Sequence, residues 1–73
     1  MTARYLVQTR GHGEPWRTVV SVPSLALAAS VADKGAAETY QLDSRTCHRH
    51  PYVRVVLRGA VVYDPRAEQA VTA

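Results

Sequence analysis

Two pairs of short alternating segments flank one alanine-rich stretch, and this order leaves the chain little choice beyond a small α+β fold. Residues 4–10 (RYLVQTR) and 16–22 (WRTVVSV) alternate apolar and polar side chains, the pattern of half-buried strands. Between them, Gly11-His12-Gly13-Glu14-Pro15 is a five-residue loop suited to a hairpin. Residues 53–57 (VRVVL) and 60–63 (AVVY) form a second pair around Arg58-Gly59, where Gly59 can supply the positive φ of a tight turn. Asp64-Pro65 closes that pair, because proline has no N–H to give to a ladder.

The stretch PSLALAASVADKGAAETYQ reads as the helix, with Ser24 as its N-cap after Pro23. Leu25, Ala28, Ala29, Ala32, Ala36 and Tyr40 fall on one stripe, and its alanines allow close approach to a sheet. Gly35 interrupts the stripe at a cost of about 1 kcal/mol relative to alanine. The expected architecture is β-β-α-β-β, a four-stranded antiparallel sheet with the helix packed on one face. Residues 1–65 make one domain, and 66–73 (RAEQAVTA) read as a short frayed tail.

A chain of 73 residues buries only roughly 60% of its unfolded surface, so pairing with another subunit would help it. No segment approaches a membrane span, the N-terminus lacks the charge and apolar run of a secretion signal, and one cysteine suits a reducing compartment. A cytoplasmic location follows as the expectation. There are eight Arg but one Lys, eleven Val and eleven Ala, and no Ile, Phe or Asn. In this bias the chain resembles short uncharacterised proteins of actinobacteria and their phages, a resemblance of composition that implies a bacterial or phage source and no activity. The net charge of +3 is modest, so the placement of the charges matters more than their sum.

Strict alternation sorts the strands into two faces. Tyr5, Val7, Thr9, Trp16, Thr18, Val20, Val22, Val53, Val55, Leu57, Val61 and Tyr63 make an apolar set that should meet the helix. The other set holds Arg4, Leu6, Gln8, Arg10, Arg17, Val19, Ser21, Tyr52, Arg54, Val56, Arg58 and Val62, with five arginines and no acid. Three uses compete for that face. It can be solvated surface, with arginine stems lying over apolar patches. It can be a protein interface, as a homodimer or on a larger partner, with Leu6, Val19, Val56 and Val62 as its apolar centre. It can contact nucleic-acid phosphates. With only Tyr52 as a stacking ring, and with a small core that gains from pairing, the protein interface ranks ahead of nucleic acid.

The run Arg45-Thr46-Cys47-His48-Arg49-His50 reads as an exposed basic loop that extends this face through Arg45, His48, Arg49 and His50. His12, Cys47, His48 and His50 are the available metal ligands, but they lack paired CxxC or HxxxH spacing, so no metal is expected. Cys47 has neighbouring cations that favour a thiolate, yet adjacent Cys47 and His48 point opposite ways in extended chain. Asp33, Glu38, Asp43, Glu14 and Asp64 are scattered. The reading is a non-enzymatic interaction or regulatory module without cofactor or membrane contact, and nucleic-acid binding is the alternative.

Overall fold

The computed structural model describes residues 4–66. The elements are β1 (Tyr5–Arg10), β2 (Arg17–Val22), α1 (Leu25–Ala37), β3 (Thr39–Leu42), β4 (Arg45–His48), β5 (Tyr52–Leu57) and β6 (Ala60–Tyr63). Four strands form an antiparallel sheet in the order β2-β1-β5-β6, and α1 lies against one face, chiefly over β1 and β5. The α+β class and the four-stranded antiparallel sheet are as the alternation implies.

The helix starts where its capping chemistry places it. Ser24 is extended (φ −133°, ψ 149°), and its hydroxyl accepts a 3.1 Å hydrogen bond from the Leu27 N–H. Ala28, Ala32 and Ala36 are buried and meet Val7, Val53 and Val55, with Tyr5, Val20, Val22 and Tyr63 closing the rim. Three methyl groups in a row let the helix sit close, so a core whose largest fully buried side chains are Val7 and Val55 is enough to hold two layers together. The Tyr63 hydroxyl donates to Asp33 Oδ1 at 2.6 Å and pins β6 to the helix. Among the described residues no helix is long and apolar enough to cross a membrane.

The helix is shorter than its alanine content implies. It ends at Ala37, and the next residues form a small two-stranded sheet, β3-β4, instead of a last helical turn followed by a loop. Thr39 pairs with His48, Tyr40 with Cys47, Gln41 with Thr46 and Leu42 with Arg45. The turn at Asp43 and Ser44 has positive φ at both residues (50° and 67°), the geometry of a two-residue hairpin turn. Tyr40 therefore belongs to a strand and not to the helix stripe, and Leu25 is exposed.

Arg66 is tied into the domain: its Nη2 donates to the Ala36 carbonyl at 3.2 Å and to the His50 carbonyl at 2.6 Å. A cation on the last carbonyls of α1 also complements the helix dipole. The expected frayed tail is thus corrected at Arg66, and its remainder, 67–73, lies outside the described residues.

Both edge strands carry an extra residue. The pairing of β1 with β2 steps from Val7↔Val20 to Gln8↔Thr18, leaving Val19 bulged. The pairing of β5 with β6 steps from Val55↔Tyr63 to Val56↔Val61, leaving Val62 bulged. Each bulge reverses which face the residues beyond it occupy.

Two stability outcomes follow. Val55→Ala removes two methyl groups from the centre of the core and is expected to cost about 2 kcal/mol in urea unfolding. Ser44→Gly relieves a left-handed φ and creates the favoured Asp-Gly turn, so amide exchange in β3-β4 should slow by a factor of about 2–5 while the core is unaffected.

Candidate functional site: the basic-aromatic end of the open sheet face

The sheet face turned away from α1 is organised in three cross-strand rows. Ser21, Leu6, Val56 and Val61 form the first, Thr18, Gln8 and Arg54 the second. Trp16, just before β2, joins Arg10 and Tyr52 in the third. Character changes from apolar to polar to aromatic and basic along the strands.

This arrangement corrects several sequence-based assignments. Trp16, Thr18 and Val61 stand on the open face and not toward the helix, because the bulges at Val19 and Val62 shift the register. Arg17 pairs with Thr9 and Val19 lines a groove with Val7, Val31 and Val53, so both lie on the helix side. That groove, about 290 Å³, runs between α1 and the sheet, lined from β1, β2 and β5. Arg58 sits in the β5–β6 turn with φ 52°, beside Gly59 at 82°. Arg4, Leu6, Arg10, Tyr52, Arg54 and Val56 remain on the open face.

The first row leaves little apolar surface. Val56 is only 6% exposed even though the helix lies on the other side of the sheet, and Leu6 is half-buried. Arg4 reaches across to Ser21, with Nε donating to its hydroxyl at 3.0 Å and Nη2 to its carbonyl at 2.6 Å. In the second row, Arg54 Nε donates to Gln8 Oε1 at 2.9 Å and Gln8 Nε2 donates to Thr18 Oγ1 at 3.2 Å. This chain fixes the stem of Arg54.

The third row is a set of stacked guanidiniums and rings. The Arg54 guanidinium carbon lies 4.0 Å from the Trp16 ring centroid. That of Arg10 lies 4.2 Å from the Tyr52 ring and 5.3 Å from Trp16. His12 closes the row, meeting Tyr52 edge-on at 5.2 Å between centroids and sharing a 3.2 Å hydrogen bond between its Nδ1 and the hydroxyl. Each such cation–π contact stabilises by about 0.5–2 kcal/mol, depending on how much water is excluded. They hold the two cations in place. Arg10 Nε is buried and has no hydrogen-bond partner among the described residues.

The expected basic loop is largely β4. Arg45 and His48 lie on that strand, Cys47 is partly buried opposite Tyr40, and the Arg49 guanidinium lies 5.8 Å from the Tyr40 ring. His50 Nε2 lies 3.4 Å from Glu38 Oε2. The candidate metal ligands are thus dispersed, with His12 on the open face and His50 paired to Glu38. Among the described residues no group of three or more His, Cys, Asp or Glu side chains comes together.

Trp16 is the residue that sequence reasoning missed. Its signal, an apolar ring in phase with Val20 and Val22, imitates a core position, and only the bulge reveals otherwise. No protein-family model, curated protein or solved structure matches the chain.

Trp16 is the single tryptophan, so its emission reports the row directly. Arg54→Ala should expose the ring and shift its emission to the red, with a stability change below about 1 kcal/mol in the same denaturation experiment. An unchanged spectrum would mean that the guanidinium does not cover the ring in solution.

Proposed function

We propose that this chain is a small non-catalytic module that binds nucleic acid by contacting phosphates with the arginines of its open sheet face. The observation that carries the reading is the row formed by Trp16, Arg10 and Tyr52 together with Arg54. Its guanidiniums are held against rings, and although Asp64 lines a cavity beside Trp16 and Tyr52, the strand residues of the face itself carry arginines and no acid. A cation positioned by stacking keeps its charge and its outward N–H groups for an anion, and a planar guanidinium matches phosphate oxygens.

The competing use, a protein interface or homodimer, depends on an apolar centre. Specific interfaces bury about 800 Å² per partner around an apolar core. Of the side chains available for that centre, Val19 has left the face, Val62 is bulged and Val56 is already covered. What remains exposed is mainly Val61, at 53%. This weighting favours a charged partner over an apolar one.

Base stacking is not part of the reading. Trp16 already has Arg54 against it, and Tyr52 has Arg10 and His12. Phosphate contacts carry no sequence information, so weak discrimination among sequences follows, as for a regulator or accessory factor that coats or bridges strands. The single cysteine, which cannot form a disulfide within the chain, fits a reducing setting for such a partner.

Fluorescence anisotropy with labelled duplex DNA and single-stranded RNA tests the proposal. Three to four phosphate contacts should make duplex affinity fall by about 40- to 150-fold between 50 and 200 mM salt. The Arg10→Gln and Arg54→Gln variants should each flatten the salt slope by about one unit. Absence of binding at the lower salt, or affinity indifferent to salt, overturns the reading and returns an acidic protein partner to first place.

A further inference from the structure

The same end of the sheet carries a second group of cations on the helix side. A cleft of about 260 Å³ is lined by Thr9, Arg10, Glu14, Arg17, Arg49 and His50, among others. These residues converge from β1, from β2 and the loop before it, and from the segment joining β4 to β5. The bulge at Val19 brings Arg17 to this side. Arg49 is positioned by its own backbone, whose N–H donates to the Glu38 carbonyl at 2.9 Å. His50 is positioned by the Glu38 carboxylate and by its carbonyl, which accepts from Arg66.

The electrostatics of the cleft are one-sided. Arg17, Arg49 and His50 line it against one carboxylate-bearing residue, Glu14, while Arg10 contributes to its wall and keeps its guanidinium on the rings of the open face. Among the described residues no carboxylate lies within ion-pairing distance of Arg17 or Arg49. Glu14 folds back over Gly11, its Oε1 lying 2.5 Å from where a Cβ at Gly11 would stand. A side chain at position 11 would therefore displace the carboxylate. Like charges gathered in a concave site repel one another, and an anion placed between them removes that repulsion. The cleft is several times the roughly 30 Å³ share of a water molecule, so a tetrahedral anion fits with waters on its open side.

We propose that this cleft is a phosphate-binding site, with Arg17 and Arg49 as the primary contacts and Glu14 as a flap that competes with the anion. The phosphate can be carried by a nucleic acid or by a small phosphorylated molecule, and the site does not depend on the sheet-face reading. If a nucleic acid supplies it, the strand passes round the end of the sheet from Arg54 to Arg49.

The test is a ¹H–¹⁵N NMR titration of the full chain with inorganic phosphate, matched against sodium chloride at equal ionic strength. Saturable shifts are expected at the amides of Arg17, Arg49 and His50 in phosphate only. Arg49→Gln should weaken binding about tenfold, and Glu14→Gln should strengthen it about threefold. Arg58→Gln, in the β5–β6 turn, should leave it unchanged. Shifts equal in chloride, or phosphate affinity kept when Arg17→Gln and Arg49→Gln are combined, overturn the proposal. Competition by oligonucleotides identifies the source. Displacement only by a 5′-phosphorylated strand assigns a terminal phosphate, and equal displacement by the unphosphorylated strand assigns the backbone. Displacement by neither assigns a small molecule. A cleft that fails beside intact salt-sensitive duplex binding sinks this site alone, and the converse sinks the sheet-face reading alone.

Discussion

One extra residue in β2 determines what the rest of this surface can do. With Val19 bulged, Val20 and Val22 stay over the core while Thr18 and Trp16 turn to the open face. The same step sends Arg17 to the helix side, where it meets Arg49 and His50. A regular β2 would place Trp16 toward the helix layer and Arg17 beside Arg10. The open face would then lose Trp16, and the cleft on the opposite side would lose a cation. Bulges are common where a sheet edge must aim a side chain, and here one bulge aims two.

The fold was legible because its determinants are local or periodic. Val7, Val53 and Val55 alternate cleanly, Ser24 has a capping hydroxyl, and Ala28, Ala32 and Ala36 recur at every fourth position. The β3-β4 hairpin was hidden by composition. Thr39-Tyr40-Gln41-Leu42 is a fair strand, but it follows a run of helix formers and turns on Asp43-Ser44, which lacks the glycine that normally announces such a turn. The candidate site was half legible. Arg10, Tyr52 and Arg54 fall on the open face by alternation, whereas Trp16 and Arg17 depend on a register shift. The adjacent pairs Val19-Val20 and Val61-Val62 are the only trace of that shift, since two neighbouring apolar residues can share one face at a bulge.

The arginines of the third row differ from ordinary surface arginines in how much freedom they have already lost. A free arginine gives up about 2 kcal/mol of rotamer entropy when a partner fixes it. Arg54 is held by Gln8 along its stem and by Trp16 across its plane, and Arg10 lies between two rings. Much of the ordering cost has thus been met within the fold, which favours binding by the same route as any pre-organised site. Arg45 and Arg58 have no such support among the described residues, so their charge contributes to the general field more than to a defined contact.

The edges of the sheet point to the same face from another direction. A four-stranded sheet exposes unpaired backbone on β2 and β6, and a partner strand could add to either. Both edges carry a bulge, at Val19 and at Val62, which interrupts the regular run of N–H and C=O groups such a strand would need. Blunted edges direct association to the broad surfaces. The helix occupies one of them, and the apolar row of the other is mostly covered at Val56 and Leu6. The end of the sheet, with Arg10 and Arg54 beside Trp16 and Tyr52 on one face and Arg17 and Arg49 on the other, is then the surface left for association. Cations on both faces of that end are the reason the proposed ligand is an anion.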